Sequence, residues 1–177
     1  GKIDIVISNK KDAFGLKRAR KHGIDTMYIG KGLYPEADKR DEVLLKTLID
    51  RKIDLIVLAG YLCILNEKIV KRFKNRIINI HPSLIPSFCG IGYYGEKVHR
   101  AVLDYGVKIT GATVHFVDEG ADTGPVIIQR AVEVDFDYTV ETLSKKVLKV
   151  EHEILPLAVK LFCEGRLEVK GRKVKIK

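Results

Sequence analysis

Tryptophan is absent from this 177-residue sequence, aromatic residues make up only 7% of it, and cysteine occurs three times. So thin an aromatic content argues against a module that holds its partner by stacking. Cys63, Cys89 and Cys163 are odd in number, widely spaced and without a CxxC pair, which argues against both a disulfide framework and a structural zinc site. His81, His99, His115 and His152 show no ligand spacing such as HxxxH, so no metal is expected. The longest apolar run, Ile53 to Gly60, falls far short of the ~20 residues of a bilayer span and is broken by Asp54, so no membrane partner is expected. The sequence has no secretion-type opening, no repeat and no Pro/Gly/Ser linker. A reduced, cytoplasmic, globular domain covering residues 1–177 is the expectation.

What is present is 46% hydrophobic and 31% charged, enough to enclose a substantial core, with a net charge of +9. The excess is local. Residues 10–23 carry six Lys/Arg against one acid, residues 166–177 carry the same balance, and the remainder is close to neutral. Two solvated basic faces are the plain reading; attraction of an anionic small molecule or of nucleic acid is the sharper one.

Strand and helix signals alternate through residue 80. Ile3–Ser8 reads as a buried strand, Ala13–His22 as a basic helix stopped by Gly23, and Met27–Ile29 as a short strand. Asp38–Lys52 reads as a helix, Ile53–Ala59 as a parallel strand covered on both faces, Leu65–Phe73 as a helix and Arg76–Ile80 as a strand. This alternation is that of an α/β, doubly wound, mostly parallel sheet. Beyond it, Glu96–Tyr105 reads as a helix closed by Gly106, and Ile109–Asp118 and Val126–Val134 as an antiparallel pair, making the sheet mixed. Thr139–Cys163 reads as a long helix, with a kink expected at Pro156, and Leu167–Ile176 as a hairpin about Lys170-Gly171. A glycine-rich phosphate loop after the first strand is missing.

The densest chemistry is Asn79-Ile80-His81-Pro82-Ser83-Leu84-Ile85-Pro86, at the carboxyl end of a predicted strand, where open α/β sheets place ligands. Asn79 and His81 are two apart on that strand and share a face. An amide donor beside an imidazole suits an oxyanion. A second cluster, Asp118-Glu119-Gly120-Ala121-Asp122, lies between two strands; one of its carboxylates could approach His81 and keep it protonated at neutral pH, or the segment could be only a tight polar loop. His115 reads equally as a buried strand histidine or as a group orienting that carboxylate. Glu151-His152-Glu153 reads as a solvated helix face or as a ligand contact. The cysteines have no neighbouring base that would activate a thiol.

Together these segments resemble the folate-dependent formyltransferase family. The matching text is Ser8-Asn9-Lys10, Asp12 to Leu16, Val57 to Tyr61, Asn79 to Pro86, Gly92 to Gly95 with Lys97-Val98-His99, Gly111 to Pro125, Glu151-His152 and Gly165-Arg166-Leu167, in the family's order and across nearly the whole chain. The resemblance implies transfer of the formyl group of 10-formyltetrahydrofolate, a co-substrate, to the amine of glycinamide ribonucleotide by direct attack. Carried over by position, it implies that Asn79 bonds the oxyanion, His81 moves the proton and Asp122 raises the His81 pKa. It further implies a pterin pocket at Leu62, Cys63, Ile64 and Leu65 with the loop Asp118, Glu119, Gly120, Ala121 and Asp122. Ribonucleotide contacts are implied at Leu148, Lys149, Val150 and Glu151. The protein would be a monomer or homodimer.

Two departures accompany the likeness. It implies that the chain begins beyond the family's first strand, phosphate loop and helix, leaving residues 1–80 as a shortened nucleotide-binding-like half and 81–177 as the folate and catalytic half. A folate-site position that is often basic falls on Ala37. Two other activities also stay open: a formyltetrahydrofolate deformylase, in which water replaces the amine, and a basic nucleic-acid-binding module. A transfer-RNA-formylating relative would need a further RNA-binding domain for which this length leaves no room.

Overall fold

A computed structural model describes residues 1–177. In chain order the elements are β1 (Ile5–Ser8), α1 (Phe14–Lys21), β2 (Asp25–Tyr28), α2 (Ala37–Asp50), β3 (Ile56–Leu58), α3 (Glu67–Arg72), β4 (Ile77–His81) and α4 (Glu96–Tyr105). They continue as β5 (Ile109–Phe116), β6 (Val126–Glu133), α5 (Val140–Cys163), β7 (Leu167–Lys170) and β8 (Lys173–Ile176). The chain divides into two compact units, residues 1–54 with 65–69, and residues 55–64 with 70–177.

In the first unit β1 and β2 form a two-stranded parallel sheet, paired from Ile5 opposite Asp25 to Ser8 opposite Tyr28. α1 buries Leu16 and Ala19, and α2 buries Leu48. The basic residues Arg18, Arg20 and Lys21 occupy the last turn of α1, where they complement the negative end of the helix dipole. Arg51 joins the sheet's acidic rim, reaching Asp4 at 2.9 Å and Asp25 at 2.8 Å. β1 was expected to be buried, yet all four of its residues are half-exposed. A two-stranded sheet is too narrow to enclose its own faces.

The second unit is built on a mixed six-stranded sheet ordered β3-β4-β5-β6-β8-β7. β3 runs parallel to β4, whereas β4–β5 and β5–β6 are antiparallel. The expectation for Ile53–Ala59, a strand covered on both faces, is corrected here. β3 is only three residues long and forms the edge of the sheet, with Val57 40% exposed. α5 covers β4, β5 and β6, seating Leu143, Val147, Ile154 and Ala158 against Val114, Phe116 and Ile127. Its start is fixed by a capping box, in which the Thr139 hydroxyl accepts the Thr142 N–H and the Thr142 hydroxyl accepts the Thr139 N–H. The helix runs on through Pro156 to Cys163. The basic block after residue 165 becomes the β7–β8 hairpin, where Glu168 pairs with both Lys170 and Lys177 at 3.0 Å.

One property of this sheet directs attention to function. β4, β5 and the segments around them bury His81, Ser83, His99, Thr110, Thr113 and His115, in an otherwise apolar interior. Buried polar groups are costly unless partnered.

Candidate active site

Asn79 and His81 lie on the same face of β4. Antiparallel register sets Asn79 directly opposite His115 on β5, and His81 opposite Thr113. Opposed residues on such strands are near enough to touch. Asn79 Nδ2 accordingly lies 3.2 Å from His115 Nε2. The other ring nitrogen of His115, Nδ1, lies 2.8 Å from the Phe116 carbonyl. A carbonyl only accepts, so Nδ1 donates to it, and Nε2 faces both the Asn79 amide and the Asp122 carboxylate. The β5–β6 pairing shifts register beside His115, between Val114 and His115, a bulge of the kind that re-aims side chains near sites.

The carboxylate arrives from the β5–β6 loop. Asp118 shapes that loop by accepting from the Gly120 N–H at 3.1 Å and the Thr123 hydroxyl at 2.5 Å. Gly124 closes it against β5, where a Cβ would stand 1.8 Å from the Phe116 carbonyl oxygen. Asp122 sits on its rim in a left-handed conformation, φ +58°. Its Oδ2 lies 3.4 Å from His81 Nδ1 and accepts the Gly90 N–H at 3.0 Å. Its Oδ1 lies 3.6 Å from His115 Nε2 and 3.4 Å from Asn79 Nδ2. His81 Nε2 is 2.9 Å from the Phe88 carbonyl. Asn79, His81, His115 and Asp122 therefore form one contiguous polar centre.

Charge at this centre differs from the expectation. Burial pushes the His81 imidazole below its ordinary pKa; the Phe88 carbonyl and the Asp122 charge push it back up but do not prevail. His81 is thus a neutral imidazole at neutral pH, and the expected resting imidazolium is corrected. For Asp122 burial is again the largest effect and would raise the carboxyl, but the hydrogen bonds of His115 and the Gly90 N–H, with the charges that His81 and His115 take on in acid, hold it below its ordinary value. Cys89, between Phe88 and Gly90, keeps its proton, because burial and then the Asp122 charge raise its thiol.

The remaining expected positions fall in two groups. Leu62 and Ile64 are exposed apolar residues, 64% and 77%, in the segment following β3; Cys63 is exposed and Leu65 half-buried. On α5, Leu148 and Lys149 are exposed, and Val150 and Glu151 are half-buried. Glu151 makes no hydrogen bond or ion pair, and burial raises its carboxyl pKa against the opposing charge of His152. A groove of about 680 Å³ borders the loop after β5, lined by Val70, Lys71, Val117, Asp118, Glu119 and Arg172 among others. It takes in two of the expected pterin-loop residues but none of Asn79, His81 and Asp122, so the chemistry is located by the polar centre and not by the groove. No group of three or more His, Cys, Asp and Glu side chains is placed to hold a metal ion, and no helix is long and apolar enough to cross a membrane.

Three contributors are not legible in the sequence. His115 stood there only as one of two readings, although a histidine inside a strand as apolar as β5 was the available signal. Phe88 and Gly90 act through backbone atoms, which leave no mark in residue type.

Residues 1–159 match the Formyl transferase family. The chain belongs to that family. It is 44% identical over 98% of its length to a glycinamide ribonucleotide transformylase of Symbiobacterium toebii, with a TM-score of 0.90, and covers 79% of that chain. It is 44% identical, over 96% of its length, to the trifunctional purine biosynthetic protein adenosine-3 of Bos taurus, of which it spans only 16%. A formyltetrahydrofolate deformylase of Pseudomonas syringae shares the fold, with a TM-score of 0.88, at 28% identity over 98% of this chain and 56% of that one.

Proposed function

We propose that this formyl transferase chain carries the formyl group of 10-formyltetrahydrofolate to the primary amine of glycinamide ribonucleotide, a step of purine biosynthesis, in the cytoplasm. The observation that carries the reading is the convergence of Asn79, His81 and Asp122, from a strand end and a separate loop, into one largely buried polar centre. The higher identity to the transformylase than to the deformylase supports an amine, not water, as the acceptor.

In this reaction the amine nitrogen bonds to the formyl carbon and the carbonyl electron pair moves onto oxygen. The tetrahedral intermediate then re-forms the C=O bond and breaks the bond to folate N10. One proton leaves the attacking nitrogen and one reaches N10. Asn79 supplies the oxyanion donor: its N–H toward Asp122 is long, 3.4 Å, and is the one a developing oxyanion would recruit. Neutral His81 takes the proton of the amine and later returns it to N10. Asp122, already ionised 3.4 Å from His81 Nδ1, stabilises the imidazolium while it exists. His81 therefore begins as the base and becomes the acid.

The exposed apolar residues Leu62 and Ile64, with Cys63 and the loop Asp118–Asp122, would wall the pterin. Leu148, Lys149, Val150 and Glu151 would take the ribonucleotide, with the Glu151 carboxylate accepting from ribose hydroxyls. Both substrates are anionic, which suits a basic protein without invoking nucleic acid.

The test uses the natural protein that carries this sequence, given 10-formyltetrahydrofolate with and without glycinamide ribonucleotide. Tetrahydrofolate should appear only with the amine, together with formylated ribonucleotide. Equal release without the amine, with free formate, would make it the hydrolase. Salt-sensitive binding to RNA or DNA without any folate turnover would make it the basic binding module.

A further inference from the structure

His81 is held by a turn that belongs to neither its own strand nor the catalytic loop. Residues Phe88-Cys89-Gly90 touch both partners of the proton transfer. The Phe88 carbonyl lies 2.9 Å from His81 Nε2, and the Gly90 N–H donates to Asp122 Oδ2 at 3.0 Å. A neutral imidazole has one N–H, and the Phe88 carbonyl can only accept. Asp122 also only accepts but stands farther off, 3.4 Å from Nδ1, so the proton of the neutral ring rests on Nε2 and the lone pair of Nδ1 faces Asp122, ready for a second proton. Without the turn Asp122 would be the remaining acceptor, and the proton would move to Nδ1.

The turn adopts backbone that its residues resist. Phe88 has φ +50° and Gly90 φ +88°; glycine tolerates this, whereas a phenylalanine there needs compensation from its surroundings. Compensation is visible in the ring. Phe88 packs edge-on against Tyr93, with centroids 6.3 Å apart, and against Tyr105 at the end of α4, at 5.9 Å, and it lies on the unit's hydrophobic core. Such edge-to-face contacts add to the gain from burial. The chain leading into the turn is tied down separately: the Ser83 hydroxyl donates to the Ser87 carbonyl at 2.6 Å, and the Thr113 hydroxyl donates to the Ser83 carbonyl at 2.7 Å.

We infer that Phe88 is a positioning residue, whose ring, wedged against Tyr93 and Tyr105, holds the turn that fixes the His81 tautomer and the place of Asp122. It touches no reacting atom by its side chain. This inference rests on the role given above to His81 and Asp122, but its first readout needs no turnover.

Nitrogen-15 NMR of the imidazoles distinguishes the two tautomers. The unsubstituted protein should show the Nε2–H form of His81. Phe88→Ala should move it toward Nδ1–H and lower kcat about 100-fold, the scale of a 1 Å misplacement, with KM for both substrates changing far less. Phe88→Tyr, which keeps the wedge, should restore both readouts. Tyr105→Ala, at a position 79% exposed, removes half of the wedge without threatening the fold and should give a smaller shift in the same direction. If Phe88→Ala does not fold, Tyr105→Ala and Phe88→Leu carry the test. An unchanged tautomer and kcat in the folded variants overturns the inference. A tautomer that shifts as expected in a protein that transfers no formyl group leaves the positioning role standing and overturns the proposed activity instead.

Discussion

Asp122 and Glu151 are both half-buried carboxyl groups of the second unit, and their pKa values move in opposite directions. Burial is the largest effect on each and raises both. The difference lies in what answers it. Asp122 hangs from a loop that turns it toward a backbone N–H and two histidines, and it is held ionised. Glu151 stands on the regular surface of α5, where the helix spends its own N–H groups internally and only the charge of His152 helps. A loop can complete a carboxylate's partners within the protein. A helix face leaves them to be supplied by a ligand. On this view Asp122 is prepared for chemistry before substrate arrives, and Glu151 is an unfilled half of a binding contact.

The largest effect should come from breaking the prepared side. Asp122→Asn removes the charge that raises His81, so burial acts with less opposition, the His81 pKa falls further, and the acid limb of the pH–rate profile moves to lower pH. Turnover should drop about 10²–10³-fold, the cost of losing one such electrostatic partner; an unmoved acid limb would remove Asp122 from this role. Next in size is His115→Phe, which strips both the Asn79 amide and Asp122 of a hydrogen-bonding neighbour. We expect a loss of about 1–3 kcal/mol of stability, read by urea denaturation, because a buried donor is left unsatisfied.

The unfilled side should respond in reverse. The fold raises the Glu151 pKa, so between its ordinary value near 4.5 and its folded value the native state binds more protons than the unfolded one, and ionisation costs stability at neutral pH. Glu151→Gln should therefore stabilise the ligand-free protein slightly at pH 7, by about 1 kcal/mol or less, while raising KM for the ribonucleotide and sparing kcat. Both His81 and Asp122 have the opposite sign. Their folded pKa values lie below the ordinary 6.5 and 3.8, so the unfolded chain binds the extra protons and stability falls as pH drops from about 6.5 downward. The smallest effect should be that of His152→Ala, which removes the charge opposing burial and raises the Glu151 pKa a little more.

Much of this comparison could be anticipated from the chain alone, and the rest could not, for identifiable reasons. Period and punctuation placed α4 at Glu96–Tyr105 and the antiparallel β5–β6 pair, because apolar spacing and Gly106 are local signals. The exposure of β3 is not legible there, because an Ile/Leu/Val run says that a strand forms and not whether it lies at an edge. Asn79 and His81 sharing a face follows from strand geometry alone. His115 joins them only through cross-strand register, and Phe88 and Gly90 only through backbone atoms. The resting charge of His81 is hidden for a related reason: the sequence shows a carboxylate that can attract a proton, whereas the depth of burial that outweighs it belongs to the packed structure.

The most direct test is a carbon-13 NMR titration of the Asp122 and Glu151 carboxyl groups, with and without glycinamide ribonucleotide. Asp122 should titrate below 3.8 in both samples. Glu151 should titrate above 4.5 alone and fall toward that value when the ribose hydroxyls donate to it. A Glu151 that ignores the ribonucleotide, or an Asp122 that titrates above Glu151, would contradict the division between a prepared carboxylate and an unfilled one.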